Sequence, residues 1–162
     1  MKKLFTLLAL TITFSMNAQL TAVTEGGNTG QRLSTSNASN HGDIGSNAVD
    51  LSYSSISNST TRGATGSNAV AMGINTAASG DFSTAMGKYT KASDFASLVI
   101  GQYNESGYLI TNNATSYNTA NTAFVIGNGT DIADRSDAFV VMFNGDATVS
   151  NDLTVSGDVV IS

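Results

Sequence analysis

Ser67 to Gly80 reads SNAVAMGINTAASG, Asp81 to Asp94 reads DFSTAMGKYTKASD, and Phe95 to Gly101, FASLVIG, starts the same pattern again. Gly73, Gly87 and Gly101 fall 14 residues apart, as do Gly66 and Gly80, and Asp94 stands where the next glycine of that second series belongs. Upstream, Thr60 to Gly66 (TTRGATG) matches the second half of the unit and Ser46 to Ser52 (SNAVDLS) the first. Downstream, Asn121 to Gly127 (NTAFVIG) repeats the first half, so the period runs over residues 46–127 with an insertion at 102–120. A unit this short cannot hold a helix pair, but it fits two strands of about five residues and two tight turns. Each unit is then one coil of an all-β solenoid. Gly73, Gly87 and Gly101 are expected to end strands at corners of positive φ, with Asp94 standing in for a glycine of the other series because Asp enters the left-handed region. Gly66, Gly80 and Gly127 are read as the matching turn positions.

The two halves of the unit differ. In the first, Val70, Thr84, Leu98 and Phe124 share a face with Met72, Met86, Ile100 and Ile126, while Ala71, Ala85, Val99 and Val125 share the other face with Ala69, Ser83, Ser97 and Ala123. Neither face is strongly polar, which is the pattern of a strand covered on both sides. One 14-residue coil has room for a single thin interior, so the second apolar face is expected to be covered by another copy of the chain. The second half, Thr60–Gly66, Ile74–Gly80 and Lys88–Asp94, varies at Arg62, Lys88, Tyr89 and Lys91 and is expected to be an outward strand carrying any contacts to a partner.

Outside the repeats, Lys2 and Lys3, the apolar run Leu4–Phe14 and the small residues before Gln19 have the layout of an export signal over residues 1–18. Without that segment, five basic residues face twelve acidic ones, a net charge of −7. Nucleic acid is therefore not an expected partner, since phosphate contacts need clustered Lys and Arg. The absence of cysteine rules out disulfides, thiolate metal sites and a cysteine nucleophile. Residues 19–45 read as a lead-in that caps the coil stack. Residues 128–162 read as a separate β-rich segment, with strands expected at Ala138–Phe143 and Leu153–Ile161 around an Asn144-Gly145 turn.

SNAVAMGINTAASG and STAMGKYTKASD resemble the head repeats of trimeric autotransporter adhesins of the YadA-like kind. Gly26–Leu33 (GGNTGQRL) and Gly42–Ser52 (GDIGSNAVDLS) are similar to the lead-in of such heads, and the segment from Asn128 resembles the β-rich part that precedes the chaperone of tail-fibre-like trimeric proteins. The resemblance implies a left-handed parallel β-roll, a homotrimer, a place at the surface of a Gram-negative outer membrane, and attachment to host matrix protein, glycan or other cells. Attachment to the membrane is expected only through an anchor outside these 162 residues, and the chain is read as a possible fragment of a longer protein.

No catalytic residue, cofactor or metal site is expected, and no ligand-contacting residue is assigned. His41, the single histidine, reads as a polar loop or cap residue without a partner for acid–base work. Asp131, Asp134 and Asp137 have the oxygen chemistry of a calcium site but match neither the EF-hand nor the glycine-rich nonapeptide spacing, and read as a solvated acidic end. Asp81 and Asp94 are the carboxylates a glycan-cleaving solenoid would pair, yet both lie beside a turn. Thr76 and Thr90 in register suggest an ice-binding ladder, which Arg62 interrupts one coil earlier. Adhesion ranks first, tail-fibre-like glycan recognition second, and an enzyme or ice-binding protein behind both.

Overall fold

The computed structural model describes residues 19–159, so the export-signal expectation for 1–18 lies outside them. The strands in chain order are β1 (Leu20–Glu25), β2 (Asn28–Leu33), β3 (Val49–Tyr53), β4 (Gly63–Ala64), β5 (Val70–Ile74) and β6 (Ala77–Ala78). They continue with β7 (Thr84–Lys88), β8 (Lys91–Ala92), β9 (Leu98–Gln102), β10 (Thr122–Asn128), β11 (Asp137–Met142) and β12 (Ala147–Val149). A single 3-10 turn, Ala38–Asn40, is the helical content of the described residues. The chain is all-β.

The period governs the pairing. Val70 pairs with Thr84, Thr84 with Leu98, and each step runs parallel with a 14-residue offset. The same ladder extends upstream, where Val49 pairs with Val70 across a longer loop, and downstream, where Leu98 pairs with Phe124 across the insertion. The short strands β4, β6 and β8 form a second parallel sheet at the same offset, Ala64 to Ala78 to Ala92. Antiparallel pairing closes both ends of the large sheet, through the β1–β2 hairpin on one side and β10–β11–β12 on the other.

Between the two sheets the space is narrow, and small residues fill it. Ala71, Ala85, Val99 and Val125 from the large sheet meet Ala64, Ala78 and Ala92 from the small one, all buried. Methyl-sized groups contribute little hydrophobic free energy each, so coil-to-coil backbone hydrogen bonds and buried polar groups share the task of holding the stack. Ser83 Oγ donates to Ala92 O at 3.2 Å and Ser97 Oγ to Asp94 O at 2.9 Å.

Several expectations change. The second half of the unit is not an outward strand: Thr76, Ala77, Ala78, Thr90 and Ala92 are buried and form the opposite wall of the coil. Thr76 and Thr90 therefore point away from solvent, with their hydroxyls unpartnered, and form no ice-facing ladder. Asp94 does not adopt a left-handed conformation; the left-handed residues of each coil are instead Asn68, Phe82 and Ala96 (φ 55°, 59°, 55°) and Asn75, Tyr89 and Tyr103 (φ 52°, 54°, 45°). Gly73, Gly87 and Gly101 do have positive φ, 115°, 120° and 92°, while Gly127 continues β10 instead of turning. Asp81 and Asp94 are not paired across coils; Asp94 stands at the position of Gly80. In the C-terminal segment the partner of β11 is β12, directly after the Asn144-Gly145 turn, and residues 153–159 form no strand.

Candidate functional site: an uncovered apolar face and a cationic corner

The alternation inside each long strand decides which face points inward. Alanine and valine fill the coil, so the larger side chains of the same strands stand on the outer face. Met72, Met86 and Leu98 are 39%, 37% and 38% exposed, in register with half-buried Val70, Thr84, Ile100, Phe124 and Ile126. The result is a continuous apolar stripe across β5, β7, β9 and β10, of the kind that marks an interaction surface.

At the corner that follows these strands, the variable positions read from the sequence come together. Lys88 and Tyr89 lie at the β7 end, Lys91 in β8, and Arg62 before β4, with its guanidinium 5.5 Å from the Tyr89 ring centre. The structure adds three residues that the repeat does not reveal, Tyr103, Tyr108 and Arg135, all beyond the last clean unit.

The lead-in end holds a buried ionic cluster. Arg32 Nη1 and Nη2 donate to the two carboxylate oxygens of Glu25 at 2.7 and 3.0 Å, and its Nε donates to Asp50 Oδ2 at 3.3 Å. Asp50, fully buried, also accepts Ser52 N at 3.0 Å and Ser52 Oγ at 2.6 Å. His41 caps the 3-10 turn, as a polar cap residue should, but it is buried, with Nδ1 2.9 Å from Asp50 Oδ2 in a contact suited to an ion pair rather than an aligned hydrogen bond. Burial by itself raises the Asp50 pKa, but the contact with His41 and the hydrogen bonds from Ser52 outweigh it and hold the carboxyl below its ordinary value. Arg32, Asp50 and His41 are buried, and the Glu25 side chain is about a quarter exposed. The cluster ties β2 to β3 across the start of the coil stack.

The other acidic residues have local partners. Asp81 Oδ1 accepts Ser67 N at 2.8 Å. Asp94 accepts Thr111 N, Thr122 N and Thr122 Oγ1 at 2.6, 2.9 and 2.6 Å, which fastens the insertion to the last coil. Asp137 is buried and accepts the amides of Glu105 and Ser106, so it does not belong to a solvated acidic end. Asp131 and Asp134 are exposed and bond within their own loop. Among the described residues no group of His, Asp or Glu is arranged to hold a metal ion, and no helix is long and apolar enough to cross a membrane.

A chain whose strands repeat every 14 residues in a parallel ladder belongs to the class of coiled all-β repeat proteins. Residues 64–90 match the family model of the YadA head domain repeat, in two copies, and the chain carries YadA-like head repeats there. No curated protein and no solved structure matches the chain.

Proposed function

We propose that the chain is the head module of an exported, non-catalytic attachment protein, built as a left-handed parallel β-roll that works as a homotrimer on the surface of a Gram-negative cell. In this reading residues 1–18 direct export, 19–45 cap the stack, 46–127 form the roll, and 128–162 form a tail-fibre-like β-rich segment. Host matrix protein, glycan or another cell is the partner.

The observation that carries the reading is the outer apolar stripe. Met72, Met86 and Leu98 lie more than a third exposed on neighbouring strands of one rigid parallel sheet, so they form a stripe rather than isolated apolar side chains. Packing of three such stripes about one axis would cover them without altering any coil, and the match of residues 64–90 to a head repeat favours that arrangement. Asp81 and Asp94, the two carboxylates of the repeat, accept hydrogen bonds from Ser67 and from Thr111 and Thr122, which favours a scaffold over a pair of catalytic carboxylates.

Light scattering on the chain as exported, with its far-UV spectrum, tests this. A β-rich trimer is expected, and Met72→Asp with Met86→Asp is expected to give a folded monomer, because both side chains project outward from the coil. A native protein that is monomeric and fully β-folded overturns the proposal.

A further inference from the structure

Beyond residue 18 the chain has five basic residues, and four of them meet at one corner. Arg32, the fifth, is held in the buried cluster with Glu25 and Asp50. The other four come from separate places: Arg62 from the loop before β4, Lys88 and Lys91 from either side of the β7–β8 corner, and Arg135 from the loop between β10 and β11. Among the described residues none of these four forms an ion pair, since the three ion pairs present all involve Arg32 or His41.

Tyrosines take the place of carboxylates. Lys88 Nζ lies 5.4 Å from the Tyr103 ring centre, Lys91 Nζ 5.1 Å from that of Tyr108, and the Arg135 guanidinium 3.8 Å from the same Tyr108 ring. Tyr89 and Tyr103, one repeat apart, stack with centres 4.9 Å apart and planes 12° from parallel. The arginines are fixed in place. Arg62 Nη1 donates to Asn75 O at 2.8 Å, and Arg135 Nη1 to Asn104 O at 3.1 Å. Cation–π contacts hold the charges without neutralising them, so the corner keeps its positive field. Burial first, and then the nearby Arg62 and Arg135 charges, lower the pKa of Lys91 from its ordinary value. The two guanidiniums thus add to an effect that burial leads.

The chain beyond residue 18 carries a net charge of −7 with the four cations of this corner counted in, so the rest of it is strongly acidic. The remaining surface repels a polyanion, so only a ligand that can lie along the corner alone is attracted. Gly63 pairs with Ala77 and Ala77 with Lys91, so Arg62 lies two coils before Lys91 at a strand spacing of about 4.8 Å, which suits an extended chain bearing anionic groups in series. Arginine binds sulfate and carboxylate through its planar fork, and the half-buried Tyr89 and Tyr108 offer ring edges to a sugar ring. We propose that this corner binds an acidic polysaccharide, one carrying sulfate or carboxylate groups.

This deepens the attachment reading and rests on it for its setting. The probes are dextran sulfate and polygalacturonate, with unsulfated dextran and a DNA duplex as comparisons, titrated calorimetrically against the chain as exported. Lys88→Gln with Lys91→Gln is the decisive variant, because neither ammonium holds a backbone carbonyl in the structure; circular dichroism and solution mass verify its fold. Binding of either acidic polysaccharide but not of dextran, weakened about tenfold in the variant, supports the inference. No binding by the native chain, equal binding by the variant, or DNA bound as tightly as the polysaccharides overturns it. A native trimer that binds neither polysaccharide removes this inference alone, whereas a native monomer removes the attachment-head reading whatever it binds.

Discussion

Replacing Asp50 by Asn changes almost no volume and removes one buried negative charge. In the native chain that carboxylate, with no exposed surface, receives Arg32 Nε, Ser52 N and Ser52 Oγ and faces His41 Nδ1 at 2.9 Å. An Asn carbonyl can still accept from Ser52, but its amide then presents hydrogens to Arg32 and His41. Removing one partner of a buried pair costs about 3–5 kcal/mol. The lower end applies here, because Arg32 keeps both bonds to Glu25 and a third to Gly42 O at 3.0 Å. About 3 kcal/mol is a large share of a domain's usual stability of about 5–15 kcal/mol, and lowers the folding equilibrium by more than about a hundredfold. Urea unfolding followed by far-UV circular dichroism measures it, at one fixed protein concentration since assembly contributes to stability. Asp81→Asn is the control: Asp81 is half-buried and accepts one amide, so about 1 kcal/mol or less is expected. If Asp50→Asn falls within about 1 kcal/mol of the native chain, the cluster does not fasten the lead-in to the first coil as argued.

Three further outcomes follow from the same geometry. Gly87→Ala places a methyl 2.0 Å from Gly101 O at a φ of 120°, so the coils must separate there; a loss of more than about 3 kcal/mol is expected, and a thermal melt close to native would refute the stacking. Asp94→Ala releases Thr111 and Thr122 from the last coil, so hydrogen exchange should accelerate at those two amides while Ala71 and Ala85, in the adjoining coils, stay protected; uniform exchange would show that the insertion holds itself. The folded pKa of Asp50 lies below the unfolded carboxylate value of about 3.9, so its contribution is present above about pH 4 and is lost as pH falls through the folded pKa. The urea midpoint should fall in that acid window with a steeper slope for the native chain than for Asp50→Asn, and parallel slopes would contradict it.

The parallel pairing was legible because the 14-residue spacing of Gly73, Gly87 and Gly101 allows hardly another stacking. The direction of the faces was not, since Val70–Met72 and Ala69–Ala71 are both apolar; side-chain volume decides, as the gap between the sheets admits alanine and valine but not methionine. The left-handed corners at Phe82, Tyr89 and Tyr103 are occupied by bulky residues that do not announce them, while Asn68 and Asn75 at the same repeat positions carry the signal. His41, Arg32 and Asp50 are spaced without any pattern and meet only because the β1–β2 hairpin folds back on the first coil. Arg135 likewise joins Tyr108 only after the insertion has placed Tyr108 beside Lys91. Lys88, Tyr89, Lys91 and Arg62 were visible as variable positions, but their company was not.

Where the coils are interrupted, asparagine side chains substitute for missing backbone. Asn104 accepts Lys91 N at 2.8 Å through its carbonyl and donates to Lys91 O at 2.9 Å through its amide, and Asn121 treats Asn113 N and O in the same way at 2.8 and 2.7 Å. Each primary amide acts as a peptide unit turned sideways, closing a rung that the looping chain has left. An insertion can thus be spliced into the rod without opening a raw edge to which another molecule could add. Loop length then becomes free to diverge while the axis keeps its pitch, and a lineage could exchange its surface decorations without redesigning the shaft that displays them.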